Sequence, residues 1–230
     1  MRIIAWNCMG RWRQESAAVL ALGGDILVLS EFRQRDLDRF EGSAAWCGRH
    51  NAKGLAIIGT NGWTIKPVAC ETDLHVLSAY ATQGKKEVAV VGVWAMPDKG
   101  DYVTPMLRAL AELPAHRRLI VAGDFNANPT FDAAKSEGRR FMTLVEHLRA
   151  RGLSSIWHHN SKDAHGEEKS ATFHWRLKRG APYHIDYVFA SNALVGSPHT
   201  VSIGSYEEWV HTKRSDHAPV IVDFDLGEDL

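Results

Sequence analysis

Cysteine is scarce in this chain, three in 230 residues, and Cys8, Cys47 and Cys70 form no Cys-x-x-Cys pair. An odd count without that spacing argues against a disulfide framework or a zinc site and leaves three reduced, half-buried thiols as the expectation. An excess of charge is missing too. Lys plus Arg number 27 and Asp plus Glu number 27, so no global positive field draws the protein onto nucleic acid, and any such attraction must be local. No apolar run approaches membrane-spanning length, and no basic-then-apolar leader precedes the first strand pattern, so a cytoplasmic protein without a membrane partner is expected. There is no linker and no low-complexity stretch. Residues 1–230 therefore read as one domain, long enough to bury a sizeable core.

What the chain does have is a set of apolar, β-like runs that each end in polar residues. Ile3-Ile4-Ala5-Trp6 delivers Asn7, and Ile26-Leu27-Val28-Leu29-Ser30 delivers Glu31. Leu119-Ile120-Val121-Ala122 ends in Gly123-Asp124-Phe125-Asn126. Tyr187-Val188-Phe189-Ala190 carries Asp186 at its mouth, and Val220-Ile221-Val222 is entered through Ser215-Asp216-His217-Ala218-Pro219. Five buried strands would thus present one rim rich in Asn and Asp. Phosphate-ester chemistry needs such a rim: carboxylates to hold a hard cation, one to orient water, and an Asp-His pair to manage charge.

Between these runs the pattern alternates. Helices are expected over 13–22, closed by Gly23-Gly24, over 102–113 with Pro105 in the first turn, and from Phe141 to a stop at Gly152. Their apolar stripes read as core faces rather than sites. The runs 54–59, 74–80 and 88–95 read as strands, the last two adjacent in one sheet.

Taken in order, Trp6-Asn7-Cys8, Leu29-Ser30-Glu31, Gly123-Asp124-Phe125-Asn126, Ile185-Asp186-Tyr187 and Ser215-Asp216-His217 resemble the motif set of the endonuclease/exonuclease/phosphatase superfamily. That superfamily includes pancreatic deoxyribonuclease, abasic-site endonucleases, sphingomyelinases and inositol-polyphosphate phosphatases. One such motif occurs by chance; five in order do not. The resemblance runs from residue 3 to residue 224 and implies a four-layer α/β/β/α sandwich in which two mixed sheets face each other.

It also implies roles. Glu31 would be a metal ligand, against the plainer reading of a strand-end charge paired with Arg33 or Arg35, and Asn7 would touch both the metal shell and a phosphate oxygen. Asp124 would orient and deprotonate water with Asn126 beside it. Asp186 would raise the pKa of His217 so that a cation faces the phosphate, and Asp216 would join Glu31 at or near the metal. All these ligands are oxygens, which selects Mg²⁺ or Mn²⁺. Zinc is the rival among twelve histidines, but His158-His159 has no His-x-x-x-His companion and reads as a solvent-facing loop pair. In one place the chain departs from its relatives. After the strand at 88–93 many of them carry His or Tyr, whereas here Trp94 follows; an indole shuttles no proton, which leaves Trp94 as a base-stacking wall at the substrate or as core packing.

An aromatic-basic stretch precedes Asp186. Phe173, Trp175 and Tyr183 are positioned to stack on a sugar or base, His184 accompanies them, and Arg176, Lys178 and Arg179 are positioned to pair with phosphates. Arg11, Trp12 and Arg13 extend this composition on the opposite rim. The plain alternative is a solvated basic loop whose aromatics pack a sheet. The expected function is a divalent-metal-dependent phosphodiesterase, monomeric, with DNA as the leading substrate. The alternatives are an enzyme acting on a small or lipid phosphoester and a catalytically silent binding protein.

Overall fold

The computed structural model describes residues 1–49, 52–71 and 75–227. In chain order its main elements are β1 (Arg2–Asn7), α1 (Trp12–Leu20), β2 (Ile26–Arg33), β3 (Ser43–Gly48), β4 (Lys53–Gly59), β5 (Thr64–Glu71), β6 (Val76–Gln83), β7 (Lys86–Trp94), α2 (Val103–Ala109), β8 (Leu119–Asp124), α3 (Phe141–Ala150), β9 (Leu153–Ser155), α4 (Ile156–Ser161), β10 (Phe173–His174), β11 (Pro182–Tyr183), β12 (Asp186–Ser191), α5 (Asn192–Val195), β13 (His199–Ile203) and β14 (Val220–Phe224). The expected helices are present: α1 begins one residue earlier and ends two earlier than expected, α2 is shorter at both ends, and α3 starts at Phe141 as expected. The strand expected from Leu74 is found from Val76, and Leu74 itself lies outside the described residues.

Two six-stranded sheets form, in the orders β13-β14-β1-β2-β4-β3 and β5-β6-β7-β8-β12-β9. Both are mixed: β1 pairs β2 in parallel and β7 pairs β8 in parallel, while the other neighbours are antiparallel. Side chains of a strand alternate between faces, and here both faces of the central strands are covered. Ile3, Ala5, Ile26, Val28, Leu55 and Ile57 of the first sheet join Leu77, Ala79, Val88, Val90, Ile120 and Ala122 of the second in one buried core. The alternate residues Ile4, Trp6, Leu27 and Leu29 pack outward with Trp12 and Val19 of α1 and with Trp209 and Val210. On the other sheet Ala89, Val91, Val93 and Val121 pack outward against Met106 of α2 and Phe141, Leu144 and Leu148 of α3. This is the α/β/β/α sandwich that the strand-end motifs implied.

One expectation fails here. Cys47 of β3 and Cys70 of β5 form a disulfide across 23 residues of sequence, and only Cys8 is free. The count and spacing of cysteines could not foresee it, because it joins edge strands of different sheets, brought together by tertiary folding with Cα atoms 5.8 Å apart. Cys8 is fully buried, and burial pushes its thiol up to about 12, so it is a packing residue and not a nucleophile.

Candidate active site

The register of the strands assembles the site. Asn7 pairs with Ser30 in the parallel β1–β2 ladder, so Asn7 and Glu31 leave the first sheet at one edge. Asp124 and Asp186 lie directly opposite each other in the β8–β12 ladder of the second sheet. Two local devices aim these carboxylates. Glu31 sits at an irregularity between Ser30 and Phe32 with φ of 56°, a left-handed conformation that turns its side chain out of the strand alternation. Gly123 has φ of 138°, and a Cβ there would lie 2.0 Å from the Val93 carbonyl oxygen, so only glycine lets β7 and β8 close beneath Asp124.

Hydrogen bonds then cross from sheet to sheet. Asn7 Nδ2 donates to Asp124 Oδ2 at 2.9 Å and to Glu31 Oε1 at 3.2 Å, while its own oxygen accepts from the Met9 amide at 3.0 Å. Asn7 therefore orients two carboxylates, and its side-chain oxygen, which accepts one bond from Met9, keeps a second lone pair. The backbone and side chain of Asn126 donate to Asp124, at 2.9 and 3.4 Å. In the return direction His217 Nδ1 meets Asp186 Oδ2 at 2.8 Å, with Asp124 at 3.9 Å and Asp216 at 4.0 Å from Nε2. Glu31 pairs with Lys53, not with Arg33 or Arg35.

Burial makes these charges act on one another. Asp124, Asp186 and His217 are 1%, 0% and 4% exposed, so water screens them little. Burial and the neighbouring Asp186 charge push the Asp124 carboxyl up to about 7, against the lowering pull of His217 and Asn7. For His217, burial alone lowers the pKa, but Asp186 and Asp124 outweigh it and raise it to about 10, which makes the ring a buried cation at neutral pH. Donor atoms of Asp124, Asp186 and His217 lie within 4.8 Å of one another. Asp186 Oδ1 is buried without a hydrogen-bond partner among the described residues. That orphaned oxygen and the Asp124 carboxylate, with His217 beside them, form a donor group that could hold a divalent cation, and Glu31 is tied to the same centre through Asn7.

Sequence reasoning missed several supports. Ser215 Oγ donates to the Asn7 carbonyl at 2.7 Å and accepts the His217 amide at 3.0 Å, and the Trp6 indole donates to the His217 carbonyl at 3.0 Å. Thr172 Oγ1 accepts from the Ile185 and Asp186 amides, each at 3.0 Å. A hydroxyl two residues before the motif histidine was the one legible sign of this bracing.

Beside the polar centre lies a groove of about 410 Å³ lined by Tyr102, Asn126, Phe131, Phe173, Trp175 and Tyr183, among others. Phe173 stands 4.7 Å from the His217 ring and 6.3 Å from Tyr183, which is 4.9 Å from Phe131, while Trp175 is 53% exposed. Phe131 and Tyr102 were not anticipated. Burial and the Asp124 charge raise the Tyr102 pKa. Trp94 instead packs against the inter-sheet core with its ring 4.7 Å from His75. Arg176 lies over Trp175, Lys178 is exposed, and Arg179 is held by Glu207 and Tyr206. His184 does not line the groove: it is 3% exposed, bonded to the Ser170 carbonyl, and burial lowers its pKa. Its place is explained by the strand period, which turns it away from the groove.

On the Glu31 side a second cavity of about 310 Å³ is lined by Arg11, Arg13, Arg33 and Arg35 with Asp36, though Arg13 is paired with Asp36 at 2.7 Å. Trp12, expected on that rim, is buried against Phe32.

The model of the endonuclease/exonuclease/phosphatase family matches residues 4–217, a span that contains every residue of the polar centre. The chain belongs to this family. Nocturnin from Xenopus laevis is 30% identical over 117 residues, which is 48% of this chain and 28% of that protein, so the chain spans only part of its curated relative. Among solved structures, the 3′-5′ exonuclease NExo from Neisseria meningitidis superposes with a TM-score of 0.73 at 21% identity over 98% of this chain and 100% of that one. A second Neisseria structure, described as the 3′ phosphatase NExo, holds a product DNA hairpin. The AP endonuclease from Archaeoglobus fulgidus superposes with a TM-score of 0.70 at 15% identity over 98% and 100%. At such identities the superpositions establish the fold.

Proposed function

We propose that this chain is a Mg²⁺- or Mn²⁺-dependent phosphodiesterase that hydrolyses nucleic acid, DNA in preference to RNA, and works as a monomer. The observation that carries the reading is the buried cluster of Asp124, Asp186 and His217, brought together from both sheets and hydrogen-bonded through Asn7 and Asp186, beside a groove walled by aromatics. Asp124 holds water in line with phosphorus and takes its proton as the new P–O bond forms. Asn7 and Asn126, both on Asp124, keep that carboxylate aimed. His217, fixed by Asp186, donates to the phosphoryl oxygen as negative charge accumulates, and the bond to the leaving oxygen breaks. A hard cation held by Glu31, Asp186 and Asp124 would supply Lewis-acid neutralisation of that charge. The Tyr102 phenol, in the same groove, offers the leaving oxygen a proton that Trp94 cannot.

A polynucleotide is favoured over a small phosphoester because the exposed rings of Trp175 and Phe131 extend the groove beyond the Phe173–Tyr183 stack, Trp175 standing edge-on to Phe173. The DNA-processing relatives, one of them holding product DNA, support the same reading. The test is turnover with Mg²⁺ or Mn²⁺ on plasmid, single-stranded DNA, RNA, an abasic duplex and a phosphomonoester panel, with Glu31→Gln as the control. Cleavage of DNA that is lost in excess EDTA and in Glu31→Gln is expected. Turnover confined to phosphomonoesters, or undiminished in EDTA, overturns the proposal.

A further inference from the structure

His158, expected in a solvent-facing loop, lies on α4 with its side chain only 9% exposed, and it has companions. Its Nε2 meets Glu168 Oε1 at 3.1 Å, and the His165 ring stacks on it with centroids 3.5 Å apart. Donor atoms of His158, His165 and Glu168 all lie within 4.8 Å of one another. We propose that these three side chains form a second metal site, for zinc, separate from the catalytic centre.

Three features favour a metal over a plain His–Glu ion pair. First, the donors are braced from behind as metal ligands are: Ser155 Oγ bonds His158 Nδ1 at 2.8 Å, and Asn128 Nδ2 donates to both Glu168 oxygens at 3.2 and 3.3 Å. Second, His165 Nδ1 is buried with no hydrogen-bond partner among the described residues, a cost that an ion pair between His158 and Glu168 leaves standing and a ligated cation removes. Third, donor atoms of three side chains converge within 4.8 Å, whereas an ion pair needs only two, and a rotation of His165 brings its nitrogen to the third position. His184 neighbours this group without belonging to it. Its Nε2 is likewise buried and unpartnered, and its ring centroid lies 5.7 Å from that of His158. Two imidazoles with one carboxylate select Zn²⁺ over Mg²⁺.

The site's place in the fold gives it a use. Asn128, which holds Glu168, also donates to the His184 carbonyl at 2.9 Å and the Tyr187 hydroxyl at 3.2 Å. Thr172, four residues beyond Glu168, fixes the Asp186 amide. An ion here ties the 162–171 segment to α4 and steadies the strand that carries Asp186, so these are positioning residues.

The experiment uses the full chain, stripped with chelator and reloaded with Zn²⁺ in millimolar Mg²⁺. One equivalent of zinc should survive gel filtration, Co²⁺ should give the ligand-field spectrum of a tetrahedral site, and Zn²⁺ should raise Tm by about 5 °C. Glu31→Gln should keep that equivalent, whereas His165→Ala and Glu168→Gln should lose it and the Tm shift. His165 is on a loop, so its variant preserves the test if His158→Ala fails to fold. No retained zinc in the folded wild type, or retention unchanged in both His165→Ala and Glu168→Gln, overturns the proposal.

Discussion

Asp186 and Tyr187 are consecutive residues of β12, yet they face opposite sides of one sheet and separate two imidazole–carboxylate clusters with opposite electrostatics. On the Asp186 side one imidazole, His217, is ringed by Asp186, Asp124 and Asp216. On the Tyr187 side one carboxylate, Glu168, stands among His158, His165 and His184. Neighbouring carboxylates outweigh burial and hold His217 charged at up to about 10, while burial and the Asp186 charge push Asp124 up to about 7. Among imidazoles the result reverses. Burial and the neighbouring His158 lower His165 to about 3; burial alone would raise Glu168, but the His158 hydrogen bond and nearby backbone amides bring it down to about 2. The chemistry of each cluster follows from which partner is outnumbered: the first stores a proton to trade, the second offers lone pairs.

The sharpest way to break this contrast is kinetic. Asp124→Asn and His217→Ala should each lower kcat by roughly 10² to 10⁴ with little change in KM, the usual size of an acid–base or oxyanion-stabilising role. His165→Ala should leave kcat within a few-fold while lowering Tm. Equal kcat losses in both clusters would merge them into one machine.

Next in size is pH. If Asp124 acts as base and His217 as cation, kcat/KM should rise as pH passes about 7 and fall as it passes about 10, with bound divalent cation moving the acid limb lower. Stability should respond on both sides. Both groups of the first cluster have raised pKa values, so their contributions are complete below the unfolded values and fade as pH rises through about 7 for Asp124 and about 10 for His217. His165 is lowered, so its contribution is present above the unfolded value near 6.5 and lost as pH falls toward 3. Between about pH 4 and 6.5 the loss from Asp124 and the gain from His165 oppose each other, so the Tm–pH curve should be nearly flat there and decline on the alkaline flank. His217→Ala should flatten that decline, and His165→Ala should expose the Asp124 loss. A curve unchanged in both variants would remove the electrostatic distinction.

The smallest effects should come from the groove. Trp175→Ala should weaken DNA binding by roughly 1–3 kcal/mol with an unaltered salt slope, since stacking is not ionic. Arg179→Ala should change affinity by less than a factor of about three, because its guanidinium is already engaged by Glu207 and Tyr206 and exposed pairs contribute little. Salt-dependent binding measurements separate the two; a large Arg179 effect with a flattened slope would make the basic loop the principal phosphate grip.

The sequence by itself determined the central strands, because β1, β2, β7, β8 and β12 are buried on both faces and so read as unbroken apolar runs with their functional residues at the ends. It left the edges of both sheets unread. β3, β5, β9 and β13 have at most one fully covered face or are very short, β5 carries Pro67 beside an irregularity, and none has a period strong enough to stand alone. The same limit hid the Cys47–Cys70 bond, which joins two of those edges. Motif order brought Asp124, Asp186 and His217 to notice, but it could not give the orientation of Asn7, the burial of His184 and Trp12, or the companions of His158. Those depend on which residues, distant in sequence, fill the space beside each side chain once two sheets have packed. A sequence records the period of each strand, whereas the field at His217 and at His158 is set only when the strands and loops around them close.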